Sequence, residues 1–244
     1  MTYTYTKRTG FTLAEVLITL GIIGVVAALT IPTLISTYKK KVVETRMAKF
    51  YSTMNQAIKL SEVDNGEIMQ WDKLNKGYVT DEDGNPDYSK PFAEAWYNKY
   101  LKQYLKVSKI EVTNNSISGY LKLYMPDGSL VVLSANSILF FPYADDFKEK
   151  ASSTNPDLMN TDPEASGTKY FTFLFGPWDT VKANKYHYQK GMEPYMYDWD
   201  GTVDKLKNDS ALGCKKEVSN ERAYCAKLIQ MNGWKIPDDY PLKF

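Results

Sequence analysis

The chain has 244 residues, and its 30 Lys and Arg against 29 Asp and Glu give a formal net charge of +1, which does not indicate nucleic-acid binding. A hydrophobic content of 43% with 24% charged residues is an ordinary globular balance. One histidine and two cysteines exclude a multi-histidine metal site and a four-cysteine zinc site, and without the common catalytic motifs we predict a protein that is not an enzyme.

The first predicted element is a run of twenty residues without a charge, residues 16–35. As a helix, this run is long enough to cross the ~30 Å hydrocarbon core of a bilayer. Lys7 and Arg8 precede it, and three lysines at residues 39–41 follow it. The positive-inside rule alone would therefore leave the body of the protein in the cytoplasm.

Glu15 lies at the edge of this run, four residues after Phe11. A carboxylate costs about 2.5–3.5 kcal/mol at the centre of a membrane helix and less near its end. One interpretation places Glu15 at headgroup level in water. The other is a cut after Gly10, which removes the basic residues and leaves a new amine on Phe11. Because a cation is unfavourable at the positive end of the helix dipole, Glu15 of the same or a neighbouring copy would neutralise that amine.

Three residues inside the run weaken a regular helix. Pro32 removes one helical hydrogen bond, at a cost of about 3 kcal/mol or more in a helix interior. Gly21 and Gly24 add backbone freedom and allow helices to approach closely. A simple anchor does not need these residues, whereas a helix that bends or unwinds locally during packing uses them.

Beyond the run, apolar residues recur at spacings of three and four, which predicts that the helix continues to about residue 64. This half has one apolar face, and the rest of the chain must cover it. An interruption near Pro32 is allowed by the pattern. The apolar face comprises Val43, Met47, Phe50, Tyr51, Met54, Ala57 and Ile58.

Residues 10–18, GFTLAEVLI, resemble the prepilin N-terminal signature of type IV pilins and type II secretion pseudopilins. The resemblance covers about residues 7–60 and includes Gly24 and Pro32 at the spacing of the family. In that family, a prepilin peptidase cuts the leader on the cytoplasmic side of the membrane and methylates the new N-terminal residue. The resemblance also implies that the head is exported despite the lysines at residues 39–41.

By this resemblance, Gly10 is the last leader residue, Phe11 the methylated residue and Glu15 the assembly glutamate, with Gly24 and Pro32 belonging to the assembly helix. Two alternatives compete with it. One is a secretory signal peptide cut near residues 26–28, which Glu15 and the unbroken helical pattern oppose. The other is a generic single-pass anchor.

Residues 66–244 are predicted to form an α+β head, with an antiparallel β-sheet packed on the second half of the long helix. The predicted elements are a turn-rich stretch at 75–90, a helix at 91–106, a hairpin of strands 120–124 and 130–133 around Pro126-Asp127-Gly128, a surface loop at 144–168, a strand at 170–175, and a helix from Asn220 to before Gly233.

Cys214 and Cys225 are eleven positions apart in the part of the chain predicted to be exported. Both facts favour a disulfide formed in an oxidising compartment. Closing so short a loop contributes roughly 2.5–3 kcal/mol in the chain-entropy model. Two free cysteines in a core are the alternative.

Two acidic clusters are candidate calcium sites because hard oxygen ligands at alternate positions suit calcium. Neither matches the twelve-residue loop of known calcium motifs, so solvated turns are the alternative and no cofactor is otherwise expected. Some major pseudopilins hold calcium in their C-terminal region, which by resemblance favours the second cluster. The clusters are Asp81, Asp83, Asn85 and Asp87, and Asp198, Asp200 and Asp204.

Nineteen tyrosines and five tryptophans allow an adhesin or sugar-binding interpretation, with residues 186–200 as a stacking surface. Core packing is the alternative for these aromatic residues. His187, as a lone histidine, is predicted to be a surface or core residue and not a ligand.

The predicted organisation is therefore a leader at residues 1–10, a long helix at 11–65 that spans the membrane at about 16–35, and an exported head at 66–244. The resemblance implies a filament subunit in the bacterial inner membrane, with further copies or related subunits, prepilin peptidase, the assembly platform and the bilayer as partners. The alternative is a membrane-anchored or secreted adhesin that does not polymerise.

Overall fold

The computed structural model describes five stretches of the chain, residues 10–74, 78–113, 120–134, 137–147 and 163–244. The predicted leader therefore lies outside the described residues, except for Gly10. The chain divides between Lys41 and Val42 into two compact units.

The long predicted helix is confirmed as α1, Leu13–Asn65, which continues through Pro32 without the interruption that the sequence allowed. Its first half is exposed and apolar enough to cross a membrane, with a mean hydropathy of 2.3 over eighteen residues. Threonine hydroxyls in this half donate to the carbonyl oxygens four residues earlier, for example Thr30 to Val26 at 2.9 Å. Such bonds satisfy polar side chains inside an apolar helix.

The head begins with two short strands in the stretch predicted to be turn-rich, β1 (Tyr78–Thr80) and β2 (Pro86–Pro91), which pair antiparallel around a turn at residues 81–85. Helix α2 (Phe92–Tyr100) follows directly. The predicted helix at 91–106 is therefore too long. Residues 101–105 form turns, in which the amides of both Leu101 and Lys102 donate to Tyr97 at 2.9 Å.

A six-stranded antiparallel sheet forms the centre of the head, and its strands neighbour each other in chain order. The predicted hairpin is confirmed as β4 and β5, in which Leu123 pairs with Val131. The predicted strand at 170–175 is confirmed as β7. The strands are β3 (Lys109–Thr113), β4 (Tyr120–Tyr124), β5 (Leu130–Leu133), β6 (Ile138–Phe141), β7 (Phe171–Phe175) and β8 (Met192–Pro194).

One face of the sheet packs on the second half of α1, as the apolar face of that helix predicts. Phe50 stacks on Phe140 with ring centroids 4.4 Å apart and meets the edge of Phe173 at 4.8 Å. Asn55 adds hydrogen bonds to the edge strand, because its side chain both donates to and accepts from the backbone of Met192 at 2.9 Å. This face therefore holds a buried core that α1 and the sheet share.

The opposite face of the sheet is also covered. Tyr120, Leu130, Val132, Leu139, Phe141 and Tyr170 form a second buried cluster there, with Phe147 packed against it. Phe147 comes from the segment predicted as a surface loop at 144–168, of which residues 148–162 lie outside the described part of the chain. The central strands β5 and β6 are therefore buried on both faces.

The C-terminal part of the head contains α3 (Val203–Asn208) and α4 (Cys225–Met231). The final helix, predicted with Asn220 as its cap, has Tyr224 as its cap and so starts four residues later than expected, although it does end before Gly233. Cys214 and Cys225 form the predicted disulfide, with Cα atoms 4.8 Å apart and both side chains buried.

Candidate functional site

The start of α1 brings together two residues of the predicted processing and assembly region. The amide and the hydroxyl of Thr12 each donate to Oε2 of Glu15 at 2.8 Å, and the amide of Glu15 donates back to the Thr12 hydroxyl at 3.3 Å. This reciprocal arrangement is a capping box, with Thr12 as the N-cap and Glu15 as the third helical residue. Phe11 and Gly10 precede the cap and are exposed.

Thr12 was missed as a functional residue, although the sequence carried its signal. A threonine followed three residues later by glutamate before an apolar run indicates a helix start. Both side-chain bonds use the same oxygen of Glu15, and a carboxylate has about four acceptor positions in total. The carboxylate can therefore cap its own helix and accept a further donor.

The first half of α1 presents an apolar surface on every side. Its large side chains are exposed, including Leu17 at 61%, Ile23 at 63% and Leu29 at 73%. Apart from the adjacent residues and the nearby backbone of α1 itself, no atom of the described residues lies within 4 Å of the position that a Cβ would take on Gly21 or Gly24. These glycines therefore leave open space beside the backbone, where another helix can approach closely.

The three aspartates of the preferred calcium candidate make separate interactions. The amide and hydroxyl of Thr202 donate to Asp200, and these bonds hold the pKa of that carboxyl below its usual value. Asp198 pairs with Lys205 at 3.5 Å, and Asp204 accepts from Asn208 at 2.7 Å.

Among the described residues, no three His, Cys, Asp or Glu side chains gather as a metal site. In the first acidic cluster, Asp81 accepts from the amides of Asp83 and Asn85 at 3.0 and 2.8 Å, as in a solvated turn. Calcium binding at either cluster stays a prediction.

The aromatic stretch at 186–200 does not form one stacking surface. Trp199 is buried at 7% exposure, packs on Tyr186 with centroids 4.6 Å apart and donates to the carbonyl oxygen of Thr202. Tyr195 and Tyr197 instead line a cavity of about 300 Å³, together with Trp178 from the connection between β7 and β8. His187 is fully buried, and its Nε2 donates to the carbonyl oxygen of Pro194 at 3.0 Å.

Two sequence families match the chain. Residues 33–244 match the family described as a family of unknown function, DUF6613, and this range includes the whole second half of α1 and the whole head. The chain is a DUF6613 protein. Residues 5–31 of this DUF6613 protein match the prokaryotic N-terminal methylation motif. No curated protein and no solved structure gives a significant match.

The methylation motif confirms the prepilin signature that the sequence indicated at residues 10–18. The DUF6613 protein is thus type IV pilin-like and is processed by prepilin peptidase. Together with the exposed apolar helix, the motif makes it a membrane-anchored, exported protein. The long helix, the antiparallel head sheet and the disulfide agree with a pilin-like arrangement.

Proposed function

We propose that this DUF6613 protein is a structural subunit, and not an enzyme, of a type IV pilus-like or type II secretion pseudopilus filament. The observation that carries the proposal is the all-round exposure of the apolar half of α1, which a helix needs if it is to exchange lipid for neighbouring helices. Its close-approach positions, Gly21 and Gly24, are open in the single chain.

In the proposed mechanism, prepilin peptidase cuts between Gly10 and Phe11 in the bacterial inner membrane and methylates the new amine. Glu15 then accepts the amine of a neighbouring copy, because an unpaired charge of either sign is strongly disfavoured in apolar surroundings. An ATP-driven platform in the membrane lifts the paired subunit into a helical array. The apolar helices form the filament core and the heads form its surface.

The capping box gives Glu15 a second role that the test must separate from pairing. Glutamine at the third helical position also completes a capping box, so Glu15→Gln keeps the cap and removes only the charge. Thr12→Ala does the reverse, since it removes the capping hydroxyl and leaves the carboxylate. The two variants therefore form a matched pair.

The test measures the mass of the mature N-terminal peptide and the amount of subunit in sheared filaments. We expect both variants to carry an N-methylated Phe11 and to remain in the membrane. We expect Glu15→Gln to be missing from filaments and Thr12→Ala to enter them with at most a modest loss, because an N-cap contributes about 1 kcal/mol. Normal filaments with Glu15→Gln would refute the pairing role.

The second candidate is a membrane-anchored adhesin that does not polymerise, and the aromatic cavity of the head favours it. A pair of cysteines on the exposed helix of one chain separates the two candidates, because a chain must form two intermolecular disulfides to belong to a covalent ladder. In a filament, the double variant Leu17→Cys, Leu29→Cys should give covalent ladders of many copies under mild oxidation. A product no larger than a dimer would favour the adhesin.

A further inference from the structure

The cavity lies at the end of the sheet where β6 begins and β7 ends. Its walls come from Phe175, from the connection between β7 and β8, and from the residues that follow β8. Its volume of about 300 Å³ is at the lower end of the range for small-molecule sites. The lining is a mixture of aromatic rings and a few polar groups, which is the usual composition of such sites.

The polar side of the cavity contains a buried carbonyl without a partner. Asn184 is only 2% exposed, and its Nδ2 donates to Asp179 at 2.9 Å, which fixes the orientation of the amide. Oδ1 of Asn184 then has no hydrogen-bond partner among the described residues. A buried acceptor left unsatisfied costs about 1–3 kcal/mol, so a donor that reaches this oxygen, from a water molecule or from a ligand, stabilises the site.

Gly176 makes room for this amide. A Cβ at Gly176 would lie 3.2 Å from Nδ2 of Asn184, which is tighter than an ordinary contact. Asp179 is held in turn, because its second oxygen accepts from the amide of Val181 at 3.0 Å. The acceptors in the cavity are therefore positioned by the fold before any ligand arrives.

The aromatic side of the cavity is also fixed. The Trp178 ring packs edge-on against Phe175 with centroids 5.3 Å apart. The amide of Tyr195 donates to Thr172 at 3.0 Å, and the backbone carbonyl of Tyr197 accepts from a buried tyrosine hydroxyl at 2.7 Å. The Tyr197 side chain itself remains 40% exposed, so a ligand can reach it.

These groups define the chemistry of the ligand. The described residues that line the cavity include one carboxylate, Asp179, and no lysine or arginine, which disfavours an anion. The Asn184 carbonyl needs an O–H or N–H donor, which a quaternary ammonium lacks. A sugar ring has hydroxyl donors at its edge and C–H groups on its faces, and those C–H groups suit the negative face of an aromatic ring.

We propose that this cavity binds a neutral saccharide, with one pyranose ring packed against Trp178 and Tyr197 and its hydroxyls donating to Asp179 and Asn184. The site belongs to the head and does not depend on whether the chain polymerises. A free sugar and the end of a longer glycan share this chemistry.

The test uses the full mature chain in nanodiscs made from lipids without sugar or choline headgroups, because both would compete for the cavity. Methyl glucoside, methyl galactoside and methyl mannoside are titrated by saturation-transfer NMR and tryptophan fluorescence. We expect at least one to bind with a Kd of about 1 mM. A glycan array then separates the sources, since a longer glycan should bind more tightly if it is the natural ligand.

Tyr197→Ala and Tyr188→Ala are a matched pair of variants. The two side chains are similarly exposed, at 40% and 37%, but only Tyr197 lines the cavity. We expect Tyr197→Ala to raise the Kd at least tenfold and Tyr188→Ala to leave it within twofold. Asn184→Leu, checked for folding by its unfolding midpoint, should also raise the Kd at least tenfold.

Three results would overturn the proposal. One is the absence of saturation transfer from every neutral saccharide at about 20 mM, a concentration well above the expected Kd. Another is an equal loss of binding in Tyr188→Ala. The third is choline binding more tightly than all of the saccharides, which would make the site an aromatic cage for a cation.

Discussion

His187 is the single histidine of the chain; it lies in the connection between β7 and β8 and is completely buried. Burial lowers its pKa from 6.5 to about 4, and the neighbouring charges of Lys190 and Lys227 add to this effect. The hydrogen bond to Pro194 acts in the opposite direction but does not compensate. The folded head therefore holds the neutral imidazole in a pH range where the unfolded chain binds a proton.

We predict that the head loses stability as the pH falls from about 6.5 to about 4, because protonation favours the unfolded chain throughout that interval. The full effect is about 3 kcal/mol in the free energy of unfolding. Denaturant titrations at several pH values measure it. His187→Gln should remove most of this pH dependence.

The comparison with His187→Gln isolates the histidine from other groups. Burial raises the pKa of Glu221, so that carboxyl stabilises the fold as the pH falls and acts against the histidine. Glu221 titrates in both proteins, and its effect cancels in the difference. The same pH dependence in wild type and variant would contradict the assignment.

Gly191 is a second residue that decides a local structure. A Cβ at this position would lie 2.3 Å from Oδ1 of Asn55, the atom that accepts the amide of Met192. We predict that Gly191→Ala destabilises the head by about 1–3 kcal/mol, because it displaces this side chain and leaves buried backbone groups unpaired.

A double-mutant cycle checks that explanation. Asn55→Ala removes the same two hydrogen bonds and leaves space for the new methyl group. Adding Gly191→Ala to Asn55→Ala should therefore cost much less than adding it to wild type. Additive losses in the free energy of unfolding would show that the collision with Asn55 is not the cause.

At the scale of elements, the segments of the chain differ in how strongly the sequence indicates their secondary structure. The long apolar run, the stripe from Val43 to Ile58 and the turn at residues 126–128 all have a strong periodic or turn signal, and α1 and the β4–β5 hairpin follow them. The disulfide was also predictable from its spacing. These signals are local, so a single sequence is enough to interpret them.

Other elements depend on contacts that the sequence does not display. Strand β6 is four apolar residues in a row, which has no period because both of its faces are buried. Strand β8 ends at Pro194, a residue typical of strand edges, and gives only a weak signal. Strand β3 does alternate polar and apolar residues, and that signal was missed.

The candidate sites also differ in whether a local sequence signal indicates them. The capping partner Thr12 could be predicted from the T-x-x-E pattern alone. The cavity could not, because Trp178, Asn184 and Tyr197 meet only after the β7–β8 connection folds against the end of the sheet.

The disulfide between Cys214 and Cys225 ties the segment after α3 to the start of α4. Both cysteines are at most 1% exposed, so we predict that dithiothreitol does not reduce the bond in the folded head. Once reduced in denaturant, the chain should refold with a free energy of unfolding lower by roughly 2.5–3 kcal/mol.

Thiol labelling with and without denaturant measures the first part, and denaturant titration measures the second. The Cys214→Ser, Cys225→Ser variant is the control, and it should resemble the reduced chain. Rapid labelling of the folded wild type after mild reduction would contradict the predicted protection.

At the scale of the whole molecule, α1 contributes to two units, and its side chains are partly buried in one unit and mostly exposed in the other. Residues 42–65 supply part of the packed core of the head, whereas residues 13–41 remain exposed along an apolar surface. All five tryptophans lie between residues 71 and 234, within the head unit. Tryptophan fluorescence therefore reports on the folding of the head.

This division predicts that two substitutions in the same helix differ in their effect on the stability of the head. Phe50 is 4% exposed and stacks on Phe140, so Phe50→Ala should lower the free energy of unfolding of the head by about 3–5 kcal/mol. Leu29 is 73% exposed in the single chain, so Leu29→Ala should change that free energy by less than about 0.5 kcal/mol.

Filament yield should show the reverse order, with the larger loss in Leu29→Ala. Leu29→Ala removes apolar surface that only neighbouring helices or lipid can cover, so we expect fewer sheared filaments although the head is intact. Phe50→Ala at low temperature, where enough of the head remains folded, should still form filaments from the folded fraction. If Leu29→Ala instead shifts the fluorescence midpoint as far as Phe50→Ala does, the two halves of α1 belong to one cooperative unit and the division fails.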